Sequence, residues 1–528
     1  MEYDFLIVGA GSGGCAVAGR LARLRPEAKI ALLETGPKDD SILITAPLGI
    51  AAIGPYRGKY NYAYETVPQP GLNGRRGYQP RGRGLGGSSS INAMEYIRGH
   101  HDDYNDWVQQ GCPGWSWDEV LPYFKRSEDN ARGADALHGA GGPLGVSDPT
   151  DPNPFSQVFL EAAKQAGFPL NNDFNGPAQE GAGLYQRTIK NGERWNAARG
   201  YLRGETLSNL EVMTNTQVLR IVFEGKRAVG VEIERDGQRR TLRARAEIVL
   251  AGGAFGTPQL LLCSGVGPVE QLRAHGIPVV HELTDVGLNL HDHLDYKMPH
   301  RIVNSDVLSI SLPGGMRLIR EMLRYRRERR GLITSNVAEA GGFFKTDPAL
   351  ARPDVQIHFL VAIIDNHART PHLGAGFTGH VCVLRPKSRG SVTLASADIR
   401  VAPVIDPAFL DDPEDVEAQL RAVKLMRRIL QAPALAAHSA KPLHSAASES
   451  DEDWCTEIRN HSDTVYHPVG SCRMGSDERA VVDPQLRVRG IAGLRIADAS
   501  VFPSIIGGNT NAPAIMVGER AADWLARP

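Results

Sequence analysis

The chain has 528 residues, 59 Lys and Arg against 60 Asp and Glu, and a net charge of -1. That length allows two or more domains with sizeable cores, while the balanced charge excludes the broad basic field that nucleic-acid binding uses. With 57 glycines, 34 prolines, 6% aromatic residues and no internal repeat, the composition suits a loop-rich α/β enzyme rather than a coiled coil or repeat array. The six cysteines (Cys15, Cys112, Cys263, Cys382, Cys455, Cys472) are dispersed, with no C-x-x-C or His-spaced pair. Neither a metal site nor a disulfide framework is expected, and a reducing cytoplasm is the default compartment.

The first element is the most informative. Phe5 to Val8 is an apolar run of the kind that forms a buried parallel strand, and it starts too early to leave room for a signal peptide. Gly9, Gly11 and Gly14 follow at G-x-G-x-x-G spacing, with Ser12 inside the turn, and Ala16 to Leu24 continues with helical periodicity. The first glycine permits the turn, the second lets backbone approach a pyrophosphate, and the third lets helix pack on strand. The diphosphate would sit at the helix N-terminus, where free N–H groups and the positive dipole end point at it. A second strand, Lys29 to Leu33, ends in Glu34, 20 residues past Gly14, where a carboxylate should grip the adenosine ribose. A carboxylate argues against a 2′-phosphate, which favours FAD or NAD over NADP.

Further along, Arg81 to Ser90 is a Gly/Arg-rich loop, and Pro154 to Ala166 reads as a helix among loops. Val212 to Thr214, Leu219 to Phe223 and Ala228 to Ile233 read as strands, the last two joined by a charged turn from Glu224 to Arg227. Ile248 to Gly267 carries no charge over 20 residues, but five glycines and Pro258 make it strand–turn–helix rather than a membrane span. Thr257-Pro258 is expected to cap that helix. Residues 300–460 change character, with amphipathic helices and strands such as Val355 to Val361 and Gly390 to Leu394. Leu494 to Ala497 then reads as a strand, and Ala512 to Ala526 as a closing helix that returns to the first domain.

Longer segments carry a family resemblance. RGRGLGGSSSINAMEYIRG (81–99), GAFGTPQLLLCSGVG (253–267) and DVGLNLHDH (285–293), with YHPVGSCRMG (466–475) and GGNTNAP (507–513), resemble the hallmarks of the glucose–methanol–choline (GMC) oxidoreductases. The chain looks closest to bacterial choline-dehydrogenase-like and aliphatic-alcohol-dehydrogenase members. The resemblance implies an α/β (α+β overall) protein. A Rossmann-like FAD-binding domain (1–155, 205–300 and 462–528) would join a substrate-binding domain (156–204 and 301–461) built on an antiparallel sheet with helices.

It also implies roles. His467 matches the catalytic histidine, and Asn509 the second catalytic position, which is His or Asn across the family. Asn511 matches a residue near the flavin N1 and C2 carbonyl. Gly86, Asn92 and Ala93 lie in the loop that passes the isoalloxazine ring. Val218 matches a residue on the adenine side, and Asp498 with Ala499 a strand end near the ribityl and pyrophosphate groups. Some relatives attach FAD through a histidine two residues past the Gly-Gly-x-Ser of this loop. Ile91 stands at that position here and cannot form the bond, so noncovalent FAD is implied.

The chemistry of these residue types agrees. Oxidising an alcohol by hydride transfer to flavin N5 requires a proton acceptor, and a neutral histidine suits it near pH 7. Pro468 biases His467 toward an extended or turn backbone. Asn509 would orient the alcohol oxygen by donating an amide N–H. Asn511, with Pro513 close behind, has the look of an N-cap, which would aim a helix N-terminus at the flavin N1 locus. The other histidines, His291 and His293 among them, are read as structural.

The leading expectation is therefore FAD-dependent oxidation of a primary alcohol to an aldehyde, with electrons passed to a quinone or another non-nicotinamide acceptor. An oxidase using O2, a choline dehydrogenase and a non-redox flavoprotein are the alternatives. Choline would need an aromatic cage or a carboxylate, for which Phe343, Phe344, Phe359 and Phe377 are candidates. Met316 to Arg330 holds seven arginines and two glutamates among apolar residues at helical spacing. It reads either as a solvated surface helix or as a peripheral contact with the inner face of a membrane.

Overall fold

The computed structural model describes residues 1–527. Two sheets organise them. The first begins with β1 (Glu2–Val8), helix α1 (Ser12–Leu24) and β2 (Ile30–Leu33). The chain then visits the second sheet with helix α2 (Pro154–Gln165) and β3 (Gly181–Leu184). It returns with β4 (Leu210–Met213), β5 (Gln217–Glu224), β6 (Arg227–Arg235), β7 (Gln238–Leu250) and helix α3 (Gly253–Cys263). The second sheet is completed by β8 (Leu294–Ile302), β9 (Ser309–Ile310), β10 (Ala340–Phe344), β11 (Val355–Leu360), β12 (Gly374–Val383), β13 (Ser439–Pro442) and β14 (Asp463–Thr464). Helices α4 (Leu312–Glu328) and α5 (Pro413–Leu430) interrupt it. Strand β15 (Leu494–Ile496) and helix α6 (Asn511–Ala526) close the first domain.

The first sheet has the order β4-β2-β1-β7-β6-β5, with β15 added beside β7. Its centre is parallel: β1 lies between β2 and β7, with Leu6 opposite Ala31 and Ile248. Both faces are covered, which is why the sequence of β1 is a continuous apolar run rather than an alternation. β7 runs ten residues further back than the expected strand at Ile248. All but its last three residues, Gln238 to Glu247, form a heavily charged stretch because one face is wet: Leu242 and Ala244 point inward while Arg239, Arg243 and Arg245 point out, beside β6.

The second sheet is antiparallel throughout, in the order β13-β8-β12-β11-β10-β3. The expected boundary at residue 300 falls inside β8, whose pairing starts at Leu294. One face is sealed by α2 and α5 over Phe155, Phe159, Phe359, Phe377 and Met426. Burying side chains of this size is worth about 1.5–3 kcal/mol each. Period-2 alternation then turns the neighbours of these phenylalanines to the opposite face, toward the first domain. The segment Gly390–Thr393 is a strand as expected, but it pairs in a small sheet of its own with residues 288–290 and 404–406.

Candidate active site

A cavity of about 1460 Å³ lies between the two sheets and runs from the Gly9–Ser12 turn past Asn92 and Ala93 to His467 and Asn509. Pockets for single small ligands are usually about 300–1,000 Å³, so this one has room for a dinucleotide and a substrate together.

At the nucleotide end, Gly9 has φ +101°, and a Cβ there would stand 2.4 Å from the Ala251 carbonyl oxygen. A Cβ on Gly14 would stand 1.9 Å from the Gly9 carbonyl oxygen, so this glycine lets α1 pack against β1. Gly14 and Gly86 do not line the cavity. Gly86 instead shapes its loop at φ +87° and donates its N–H to the Ala10 carbonyl at 2.8 Å. Gly11 differs: the nearest atom to an added Cβ is 3.8 Å away, so the space beside it is cavity that a side chain would narrow. A bare backbone turn at a helix N-terminus opening on such a space fits a diphosphate.

Glu34 is buried and lines the same end. Its carboxylate accepts N–H groups from Ala10 (3.0 Å), Gly36 (2.8 Å) and Gly84 (2.9 Å), tying the phosphate turn to the 81–90 loop. Burial raises its pKa against those three donors. A carboxylate has about four lone-pair sites, which leaves one for a ribose hydroxyl. Val218 and Ala499 also line the cavity, as does Asp498, which accepts from Gly253 N (2.9 Å) and the Thr257 hydroxyl (2.6 Å). Thr257 is not the N-cap residue itself, but its hydroxyl accepts the N–H of Gly252, which is, at 3.0 Å. α3 starts at Gly253, and Thr257 lies in its second turn.

Asn511 is likewise not an N-cap. It is the first residue of α6, Thr510 precedes it in the cap position, and its side-chain oxygen accepts the Ser12 hydroxyl at 2.7 Å. The helix still starts at the cavity wall, so its N-terminal N–H groups and positive dipole end face the space. Asn92 is fixed by Arg194, whose guanidinium reaches both the Asn92 carbonyl (2.7 Å) and side-chain oxygen (2.8 Å). Among the described residues Arg194 has no carboxylate partner, and burial pulls its pKa down to about 9. Ala93 receives the Asn336 amide at 2.8 Å, and Ile91 packs with Ile44, Ile53 and Tyr60.

At the far end, His467 Nε2 lies 3.3 Å from Asn509 Nδ2, and His467 Nδ1 lies 3.0 Å from His293 Nδ1. His293 Nε2 is 2.9 Å from the Leu384 carbonyl, which can only accept. His293 must therefore carry its proton on Nε2, and His467 must donate from Nδ1. That leaves a lone pair on His467 Nε2, at the cavity. Gln356 Nε2 donates to Asn509 Oδ1 at 3.0 Å, which turns the Asn509 amide N–H toward His467. Burial drives the His467 pKa well below the usual 6.5, with smaller contributions from His293, His358 and Arg81, so the ring is neutral near pH 7. His293 is pulled down to about 4, chiefly by burial.

The turn that carries His467 is heavily pinned. Tyr466 has φ +77°, an uncommon conformation for a bulky residue. Its N–H goes to the Thr464 hydroxyl at 2.6 Å and its carbonyl accepts Arg81 at 2.8 Å. The His467 N–H donates to Asp292 at 2.8 Å, and the Thr464 hydroxyl donates to the same carboxylate at 2.5 Å. Burial raises the Asp292 pKa to about 6. His291 accepts the Ile505 N–H at 2.8 Å and so fixes the loop that leads to Asn509. His291 and His293, expected to be merely structural, thus stand at the site, as do Asp292 and Gln356, which the sequence did not single out. The signal for the first three was the 285–293 segment itself. Gln356 gave none, being one polar residue in an apolar strand.

The wall opposite carries Glu95, His358 and His380. His358 Nδ1 is 2.9 Å from Glu95, and that carboxylate raises the His358 pKa against the opposing effect of burial. His380, its cross-strand neighbour, is 2.7 Å from Asp295 and has its pKa lowered, chiefly by burial. The candidate cage of Phe343, Phe344, Phe359 and Phe377 does not form. All four are fully buried, and none lines the cavity. His358 and Leu360 face the cavity, so Phe359 between them must face the other way.

Two family models described as GMC oxidoreductase match residues 3–295 and 386–518. The chain belongs to the GMC oxidoreductase family. Members bind FAD. The chain is 43% identical to an alcohol dehydrogenase (acceptor) of Pseudomonas putida, over 99% of this chain and 96% of that protein. It is 42% identical to the mitochondrial choline dehydrogenase of Homo sapiens, over 99% and 90%. Among solved structures, pyridoxine 4-oxidase from Mesorbium loti superposes with a TM-score of 0.89 at 31% identity, over 99% of each chain. The formate oxidase of Aspergillus oryzae RIB40 gives 0.92 at 28%, over 99% and 98%. Among the described residues, no helix of this GMC oxidoreductase is long and apolar enough to cross a membrane.

Proposed function

We propose that this chain oxidises a primary alcohol to an aldehyde with noncovalently held FAD and passes the electrons to a non-nicotinamide acceptor such as a quinone. The observation that carries the reading is the paired His467 Nε2 and Asn509 Nδ2, 3.3 Å apart, at one end of a cavity whose other end is the Gly9–Ser12 turn. Glu34 would hold the ribose, Gly11 and Ser12 the diphosphate, Val218 the adenine side, and Asp498 with Ala499 the ribityl region. Asn92, Ala93 and the start of α6 would flank the ring system. Bound FAD supplies the hydride acceptor.

The protein's own part is proton handling and orientation. Asn509 Nδ2 has a second N–H to donate to the alcohol oxygen, while His467 Nε2 takes the hydroxyl proton. Holding both groups at fixed positions converts collision into a near-attack arrangement. His467 then carries charge, in the wall that also holds His293 as a neutral acceptor. An uncharged primary alcohol is favoured over choline because Glu95, a carboxylate on the cavity wall, is already paired with His358.

Mixing the purified yellow protein with a panel of alcohols under anaerobic conditions tests the reading. Primary alcohols should bleach the flavin absorbance, and choline should do so poorly. If no alcohol bleaches it, the reading fails. Acid precipitation should release the flavin into the supernatant; colour retained in the pellet would show a covalent bond and overturn the role given to Ile91.

A further inference from the structure

Helix α4 is amphipathic in the wrong direction for a solvated surface helix. Leu312, Met316, Ile319 and Leu323 recur at i, i+4, i+7 and i+11, which puts them on one stripe. They are 80%, 59%, 61% and 58% exposed. The opposite side is the one that packs: Leu318 and Tyr325 meet Ala46, Leu48 and Ile333, and Glu321 accepts the Leu332 N–H at 3.1 Å. The helix is thus anchored to the body by one face and presents its other apolar face outward. The stripe continues onto the adjoining sheet edge through exposed Ile310 and Leu373, since β9 pairs with β12 at Ile310 and Gly374. A contiguous outward apolar surface of this kind marks an interaction site.

The charge pattern says what covers it. Arg324, Arg329 and Arg330, toward the protein, pair with Glu328, Glu193 and Asp151. Arg320, Arg326 and Arg327 flank the stripe, are exposed, and form no ion pair among the described residues. An apolar ridge between unpaired arginines suits a surface that is apolar within and anionic at its boundary, and a bilayer rich in anionic lipid has that profile. A second copy of this chain, nearly neutral at a net charge of -1, offers little negative counterpart.

The geometry points to α4 as a peripheral docking face for anionic membrane. The segment beneath it also walls the cavity: Ala46 and Leu48 touch α4, and Ile50, Ala51, Gly54 and Pro55 line the cavity. The docked face therefore adjoins the cavity wall, the side from which a membrane-dissolved partner would come.

Co-sedimentation of the flavin-loaded protein with vesicles tests this. Binding should be strong to phosphatidylglycerol-containing vesicles, weak to pure phosphatidylcholine, and reduced by salt. Met316→Ser with Ile319→Ser and Leu323→Ser, and separately Arg320→Glu with Arg326→Glu and Arg327→Glu, should each cut the bound fraction roughly tenfold or more. Flavin absorbance, melting temperature and flavin reduction by a water-soluble alcohol should stay as in wild type, which shows that the variants are folded. Equal binding by wild type and both variants, or no binding to any vesicle, overturns the proposal. So does a wild-type dimer that the serine variant converts to monomer, because the face would then be a contact between copies. None of these results bears on whether an alcohol reduces the flavin.

Discussion

His293 Nδ1 stands 3.0 Å from His467 Nδ1, and the Leu384 carbonyl behind His293 decides which way the proton between them points. Only one tautomer of each ring satisfies all three atoms. The consequence is a lone pair on His467 Nε2, next to Asn509 and open to the cavity. His293 acts through His467 and is a positioning residue.

His293→Leu should therefore keep its flavin but lose control of the His467 tautomer. Flavin reduction by alcohol should slow about 10–100-fold, in the range seen when the group behind a functional histidine is removed. His293→Gln, which offers an acceptor oxygen, should recover part of the loss. Anaerobic stopped-flow spectroscopy measures both. A His293→Leu protein as fast as wild type would show that the tautomer is set elsewhere.

His467→Ala should slow flavin reduction about 10²–10⁴-fold with an unchanged flavin spectrum, because the proton acceptor is gone. Asn509→Ala and Gln356→Leu should cost less, since they misplace the substrate without removing the base. The pH profile follows from the site. Neutral His467 is the active form, so the rate rises with pH through its pKa, which burial holds well below 6.5. Asp292, raised to about 6, must be ionised to accept the His467 N–H and the Thr464 hydroxyl together. The reduction rate should thus be flat above about pH 7 and fall below about pH 6. Asp292→Asn should shift the acid limb. A wild-type midpoint above pH 7 would contradict the assignment.

Glu34→Ala should lower FAD occupancy and also the melting temperature. It removes the ribose partner and leaves the N–H groups of Ala10, Gly36 and Gly84 without their acceptor, each buried orphan costing about 1–3 kcal/mol. Glu34→Gln keeps one acceptor oxygen and should fall between. Flavin titration with calorimetry separates the two losses. Unchanged FAD affinity in Glu34→Ala would confine this residue to holding the loops.

The contrast between Glu34 and His293 shows what a sequence can carry. Gly9, Gly14 and Glu34 were legible because a local motif fixes their spacing and each has a backbone reason. The β1 and β2 strands were legible for the same cause, being apolar runs buried on both faces. Gln356 was not, since its partner lies 153 residues away and nothing local marks it, and for His293 the 285–293 segment marked the region but not the contact with His467, 174 residues away. The charged stretch of β7 was missed because its inward positions are only Leu242 and Ala244, too few to signal a strand. Phe359 misled for the opposite reason: aromatic residues near a cavity suggest a cage, but alternation about His358 sends the ring into the core under α5. Asn511, two residues before Pro513, and Thr257, directly before Pro258, each suggest an N-cap, but neither occupies the cap position, and Ser12 and Asp498 are their tertiary partners.

Stability should also depend on pH through His138, away from the cavity. This buried ring sits between Asp173 (2.8 Å) and Glu128 (3.3 Å), and those carboxylates raise its pKa to about 9, the Asp173 hydrogen bond contributing most. The folded value lies above the unfolded one of about 6.5, so the stabilisation is complete below pH 6.5 and is lost as pH rises through 9. A shift of this size corresponds to at most about 3 kcal/mol. The wild-type melting temperature should thus decline between pH 6.5 and 9. His138→Gln cannot be protonated and should melt lower at pH 6.5, approach wild type at pH 9, and show a shallower decline between them. His358, raised beside Glu95, should account for part of what remains. Parallel wild-type and His138→Gln melting curves across that range would mean that His138 is neutral in the folded protein and that Arg98, 2.5 Å away, is the cation that balances Glu128.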